Sequence, residues 1–217
     1  GNRCYDQNVP EEINRKLVDH MSDINLTYST ISRQNLLKEG IKNDLVIKVG
    51  SPLYEVFLNN KDKISKSNIL EKLLIKKKNY FLVSLHREEN TKDEKSINNI
   101  VNILNEINKK FKKDIIFPCH PRIRNILQNK NKNKKIRIIK PLRFTDYVNL
   151  QINSFVVLSD SGSISEESSI LNFSALNLRD THERHESMEE GGVMMVGLDK
   201  KRILNGIKMI SSAKLNL

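Results

Sequence analysis

From Tyr80 onward the chain repeats one pattern. A short, nearly continuous apolar run gives way to a polar cluster, and apolar positions at helical spacing follow. The runs are Tyr80–Leu85, Ile115–Phe117, Ile136–Ile139, Phe155–Leu158, Ala175–Leu178 and Val193–Val196. After the first, Ile100, Ile103, Leu104, Ile107 and Phe111 mark one face of a helix. Ile123–Gln128, Tyr147–Ile152 and Ile164–Leu171 read as further helices, and a last one runs from about Arg202 to Ser212. Strands without polar alternation are buried on both faces. The pattern therefore predicts an α/β fold, a Rossmann-like parallel sheet with helices on both faces. Right-handed crossovers make such a sheet doubly wound.

The first part of the chain is less regular. Val9-Pro10-Glu11-Glu12 reads as a helix start, with proline near the first turn and acids that suit the dipole. That helix reaches about His20. Asn25–Ser29 reads as a short strand, Ser32 as the cap of a helix through Glu39, and Gly40 as its stop. Leu45–Val49 is a second strand. Ser51-Pro52 opens a helix to about Asn60, and lysine- and asparagine-rich sequence follows.

In a doubly wound sheet, ligands bind at the carboxyl ends of the strands. Here those ends read His86-Arg87-Glu88-Glu89-Asn90, His120-Pro121-Arg122, Asp160-Ser161-Gly162 and Arg179-Asp180-Thr181-His182-Glu183-Arg184. A strand that turns through Ser161-Gly162-Ser163 into a helix aims backbone N–H groups at an anion, as a phosphate seat does. A plain helix cap also explains such a turn. Glu167, one turn into that helix, is placed to accept from ribose hydroxyls. His86 can bind a phosphate or act as acid or base, or it can be a strand-end histidine satisfied by a cap. Arg184 can hold a diphosphate bidentately or pair with Glu183 or Glu186. Glu11 is open to catalysis or to dipole complementarity alone. No spacing of His, Cys and Asp reads as a metal site.

The formal net charge is +11 over 217 residues, which raises the question of nucleic acid. Its pattern argues against that partner. Lysines collect at Lys76–Lys78 and between Lys130 and Lys135, in connections, with no interleaved aromatics and no tryptophan to stack bases. The two cysteines, Cys4 and Cys119, form no CxxC, so reduced thiols and a cytoplasmic location are expected. No apolar run is long enough to span a membrane, and no secretory signal is present, so a membrane is not an expected partner. The chain opens on a polar turn and stops after a helix, which reads as a fragment of a longer protein or a processed chain.

Four ordered motifs carry a resemblance. Asp160-Ser-Gly-Ser-Ile-Ser-Glu-Glu167 resembles the Asp-Ser-Gly-Gly-x-x-Glu-Glu signature of the non-hydrolysing UDP-N-acetylglucosamine 2-epimerases. Pro10-Glu-Glu-x-Asn-Arg15, His86-Arg-x-Glu-Asn90 and Arg179-Asp-Thr-x-Glu-Arg184 agree with it in order. The wording of Leu178–Arg184, with Met194–Leu198, is similar to the capsule and O-antigen branch, which includes UDP-N-acetyl-L-fucosamine synthase. The resemblance implies the C-terminal half of a GT-B two-domain fold. Residues 1–50 would be the remnant of the N-terminal Rossmann-like domain, and residues 51–217 the C-terminal UDP-binding domain. It further implies C2 epimerisation of a UDP-N-acetylhexosamine by elimination and re-addition of UDP, for surface polysaccharide synthesis. No cofactor is implied, and the intact family implies a homodimer.

Residue by residue, the resemblance implies that Ser161, Gly162 and Ser163 hold the diphosphate, Glu167 the ribose, and Tyr147 the uracil. His86 would meet the diphosphate as leaving group, Arg184 the sugar nucleotide, and Glu11 would serve as a catalytic carboxylate. Ser163 stands where the signature has a second glycine, and His185 where proline follows Glu-Arg. The family carries further catalytic acids before the point where this chain begins, so an upstream complementing chain is a candidate partner. Two alternatives stay open: a UDP-binding remnant without turnover, and a GT-B glycosyltransferase. A nucleic-acid module is a third.

Overall fold

The computed structural model describes residues 1–4, 10–87, 90, 93–179 and 192–213. Two compact units divide the chain. One is built from residues up to Leu58, and the other begins at Asn59 and holds the larger sheet.

In the first unit, helix α1 (Pro10–Met21) precedes strand β1 (Asn25–Thr27) and helix α2 (Thr30–Lys38). A single 3₁₀ turn at Asn43–Leu45 leads into β2 (Val46–Lys48), which pairs parallel with β1. Ser29, rather than Ser32, caps α2: the Ser29 hydroxyl accepts from the Ser32 N–H. Gly40 follows that helix at φ +90°, a conformation that costs glycine little. Arg3 is buried and ties the unit together, with its guanidinium forked onto Glu39 at 2.6 and 2.7 Å and onto Asp19 at 2.7 Å. Helix α3 (Leu53–Ser65) continues past the stop expected near Asn60.

The second unit is a six-stranded, wholly parallel sheet. Its strands are β3 (Tyr80–Ser84), β4 (Asp114–Pro118), β5 (Ile136–Ile139), β6 (Val156–Ser159), β7 (Ala175–Asn177) and β8 (Met194–Met195). The helices among the described residues are α4 (Ile69–Lys72), α5 (Glu94–Phe111), α6 (Pro121–Lys130), α7 (Phe144–Asn153), α8 (Ile164–Leu171) and α9 (Lys200–Ala213). Side chains alternate between the sheet's faces along each strand. Phe81, Val83, Phe117 and Leu158 meet α5, α6 and α9 on one face. Tyr80, Leu82, Ile116 and Val157 meet α4, α7 and α8 on the other. Both faces are thus covered, as the apolar strands require.

The spatial order β5-β4-β3-β6-β7-β8 means the chain winds outward from β3 in one direction and then restarts at β6 in the other. This is the dinucleotide-fold order, with its reversal between β3 and β6. The register aligns Ser84 with Ser159. The residues that leave those two strands, His86 and Asp160, therefore emerge side by side at the crevice where such sheets bind ligands.

Candidate nucleotide-binding site

Asp160 organises this edge. It is wholly buried, and its Oδ2 accepts from the His86 N–H (3.1 Å), the Arg87 N–H (3.1 Å) and Asn90 Nδ2 (2.9 Å). Its Oδ1 faces His86 Nδ1 at 3.0 Å. The Asp160 N–H in turn donates to the Ser84 carbonyl. Burial alone would raise the pKa of such a carboxyl. The hydrogen bonds from His86, Asn90 and the Arg87 backbone outweigh that, and the group is held below its ordinary value. The partner moves the other way. Its hydrogen bond to Asp160 raises the His86 pKa, against burial and the repulsion of Arg87 and Arg179. The His86 side chain stays 60% exposed, so its ring reaches out of the edge while its Nδ1 is held.

Beside this pair the chain turns through Ser161-Gly162-Ser163 into α8. The Ser161 N–H donates to the Ser159 hydroxyl, and the Ser161 and Ser163 hydroxyls lie 2.8 Å apart. The first N–H groups of a helix have no acceptor within it, so the turn presents donors to whatever lies above. Serine hydroxyls rotate and can exchange these local contacts for a ligand's oxygens. Glu167, one turn in, accepts from the Ser163 hydroxyl on Oε1 and from Gln151 Nε2 on Oε2, at 2.5 and 2.6 Å. A carboxylate has lone pairs to spare beyond those two bonds. Tyr147 sits one helical turn before Gln151 on α7, and its phenol bonds Ser84 at the end of β3. Burial first, then the nearby charges of Glu167 and Asp160, push that phenol up to about 12.

The edge therefore gathers His86, Tyr147, Ser161, Gly162, Ser163 and Glu167 in one unit. Glu11 belongs to the first unit, where it lies exposed on α1. Its neighbour Glu12 is buried and engaged: Oε2 accepts from the Cys4 N–H at 2.9 Å and pairs with Arg15 at 3.3 Å. Arg184 lies outside the described residues, as do Glu88, Glu89, His182 and His185. Sequence reasoning gave no role to Asp160 or Gln151. The only signal for Gln151 was a polar residue among the buried positions of α7. Asp160 had its place at a polar strand end and in the signature, with no role of its own. Among the described residues, no cluster of His, Cys, Asp and Glu is built to hold a metal ion, and no helix is long and apolar enough to cross a membrane.

A sequence profile of the UDP-N-acetylglucosamine 2-epimerase family matches residues 1–216. The chain belongs to that family. Among its relatives, the UDP-N-acetylglucosamine 2-epimerase of Methanocaldococcus jannaschii is 34% identical over 225 residues, covering 100% of this chain and 62% of the relative. The solved UDP-N-acetylglucosamine 2-epimerase from Rickettsia bellii is 44% identical with a TM-score of 0.90, over 98% of this chain and 57% of that one. The Methanocaldococcus jannaschii enzyme, solved in complex with UDP-GlcNAc and UDP, is 35% identical with a TM-score of 0.87, over 97% of this chain and 60% of that one. This epimerase-family chain thus spans about three-fifths of the length of these relatives. The likeness bears out the α/β fold and the family read from the four motifs.

Proposed function

We propose that the second unit binds the UDP portion of a UDP-N-acetylhexosamine at the crevice between β3 and β6, and that the protein interconverts the C2 epimers of that sugar. The single observation that carries this reading is the Asp160–His86 pair, locked at the reversal of the sheet and flanked by the Ser161–Ser163 turn. Two related structures are described with such ligands, one with UDP-GlcNAc and UDP and one, from Neisseria meningitidis, bound to UDP-GlcNAc.

In the proposed reaction a base removes the C2 proton while the C1–O bond breaks. Its electron pair leaves on the β-phosphate oxygen of UDP, and a C1=C2 double bond forms a 2-acetamidoglycal. Re-addition of UDP with protonation on the other face of C2 gives the epimer. Charge develops on the departing diphosphate, so donors must already be aimed there. Ser161, Gly162 and Ser163 supply them, and His86 meets the leaving oxygen through Nε2. Glu167 takes the ribose hydroxyls, Tyr147 the uracil side of the pocket, and Arg184 the sugar nucleotide. Glu11, by its motif, transfers the C2 proton. A cytoplasmic role in surface polysaccharide synthesis, a homodimer and a complementing upstream chain belong to the same proposal.

The coverage of three-fifths favours a second reading for this chain by itself, UDP binding without turnover. Proton NMR of the chain with UDP-N-acetylglucosamine in deuterated water decides between them. Epimerisation expects deuterium at C2 and a new anomeric signal from the manno epimer. UDP binding with an unexchanged C2 proton leaves the second reading, and neither binding nor exchange removes both.

A further inference from the structure

We infer that Asp160 is a positioning residue for the reaction: it fixes the His86 imidazole with Nδ1–H toward the protein interior and Nε2 toward the diphosphate. This rests on the UDP-binding reading for the identity of the ligand, but the arrangement itself is read from the geometry. A carboxylate that served only to cap the loop after β3 would need the two backbone N–H groups and Asn90, all of which reach Oδ2, with the His86 N–H shared onto Oδ1 at 3.2 Å. Oδ1 does one thing more. Oδ1 reaches the ring nitrogen of a side chain that is otherwise mostly exposed, at 3.0 Å. The two ring nitrogens of histidine are distinct, and a carboxylate on one decides the role of the other. With Nδ1–H donated inward, Nε2 is left to face the ligand. There it accepts when the ring is neutral and donates when it is charged.

The two oxygens carry unequal loads, since the Arg87 N–H and Asn90 reach Oδ2 alone. Asparagine keeps the shape of Asp160 but has one acceptor and one NH₂ group. Three donors demand the acceptor at the Oδ2 position, so the NH₂ falls opposite His86 Nδ1. That nitrogen must then become the acceptor, the proton moves to Nε2, and the charged ring loses its counter-ion. The groups that act on the ring are Asp160, which favours its charge, and Arg87 and Arg179, which oppose it. Tyr147 and Glu167 lie in the same field, the former close to both acids.

The test uses the full chain labelled with ¹⁵N-histidine. In the unaltered protein at neutral pH, Nδ1 of His86 is expected to carry a proton, and the ring to titrate above the ordinary histidine value of about 6.5. An unprotonated Nδ1 at neutral pH would overturn the inference, and this readout needs no variant. In Asp160→Asn the proton is expected on Nε2 with the titration moved to lower pH, and UDP affinity at pH 7 is expected to fall by about tenfold or more. A purely capping role leaves the tautomer and titration as they were. His86→Gln supplies the second arm: in that background Asp160→Asn is expected to cost no further UDP affinity, and an undiminished tenfold loss would show that Asp160 does not act through the ring. If the tautomer switches while neither protein binds UDP, the positioning stands and the UDP reading falls.

Discussion

Replacing Gln151 with leucine separates stability from ligand binding at the same residue. Gln151 is wholly buried, and its Nε2 donates to Glu167 while its Oε1 meets no donor among the described residues. A hydrogen bond to a charged group contributes about 1.5–3 kcal/mol, and an unsatisfied buried carbonyl costs about 1–3 kcal/mol. Gln151→Leu removes both together at similar volume, so the two terms offset and stability should change by less than about 1.5 kcal/mol. For a domain of this size that is a shift of roughly 3–6 °C at most. Ligand binding has no such compensation. Glu167 keeps only the Ser163 hydroxyl to orient it, and its carboxylate must be ordered again when ribose hydroxyls arrive. A loss of about 1 kcal/mol, or roughly fivefold in UDP affinity, is expected. Thermal denaturation reads the first quantity. Calorimetry with UDP reads the second, with inorganic pyrophosphate, which lacks the ribose, as the control that should bind unchanged. A melting point lowered by far more than the expected range, or UDP affinity unaltered, would refute the reasoning.

Two further outcomes follow from the packing and the charges. Phe81 is fully buried, with Phe111 and Phe155 edge-on at 5.8 and 5.4 Å, so Phe81→Ala should cost about 3–5 kcal/mol in chemical denaturation. In the first unit, the forked Arg3 guanidinium holds the Glu39 carboxyl down at about 2 from an ordinary 4.5. A depressed folded value stabilises above the unfolded one and is lost as pH falls toward the folded one. Glu39→Gln should therefore flatten the decline in stability between about pH 5 and pH 2, measured by urea unfolding across that range, and parallel curves would contradict the assignment.

The sheet was legible because its strands are continuous apolar runs, and Tyr80, Ile115 and Val156 each begin or lie in the strand expected of them. What escaped was structure made by tertiary contact. Ile69 is buried against Tyr80 and Leu82. Yet it sits in a stretch whose lysines and asparagines disguise α4 and the end of α3 as a connection. The start of α5 was equally hidden, since Asp93 caps it well before the first of the apolar positions that marked the helix. At the site, the polar strand ends pointed to His86, Ser161 and Glu167, because strand order alone brings them to one edge. Asp160 was different. Its partners lie more than 70 residues earlier in three of its four contacts, and two of the four are main-chain N–H groups that any residue but proline supplies. Nothing in composition marks such an acceptor. Glu11 and Glu12 were separable in principle: Arg15 and Lys16, one turn on from Glu12, signal the face on which that carboxylate is engaged.

The central claim is that the crevice between β3 and β6 grips the diphosphate of UDP. A crystal structure of the chain soaked or grown with UDP tests it most directly. The account expects phosphate oxygens within hydrogen-bond distance of the Ser161–Ser163 turn and His86 Nε2, with the ribose at Glu167. A nucleotide bound with its phosphates elsewhere, or a crevice left untouched at saturating UDP, would contradict it.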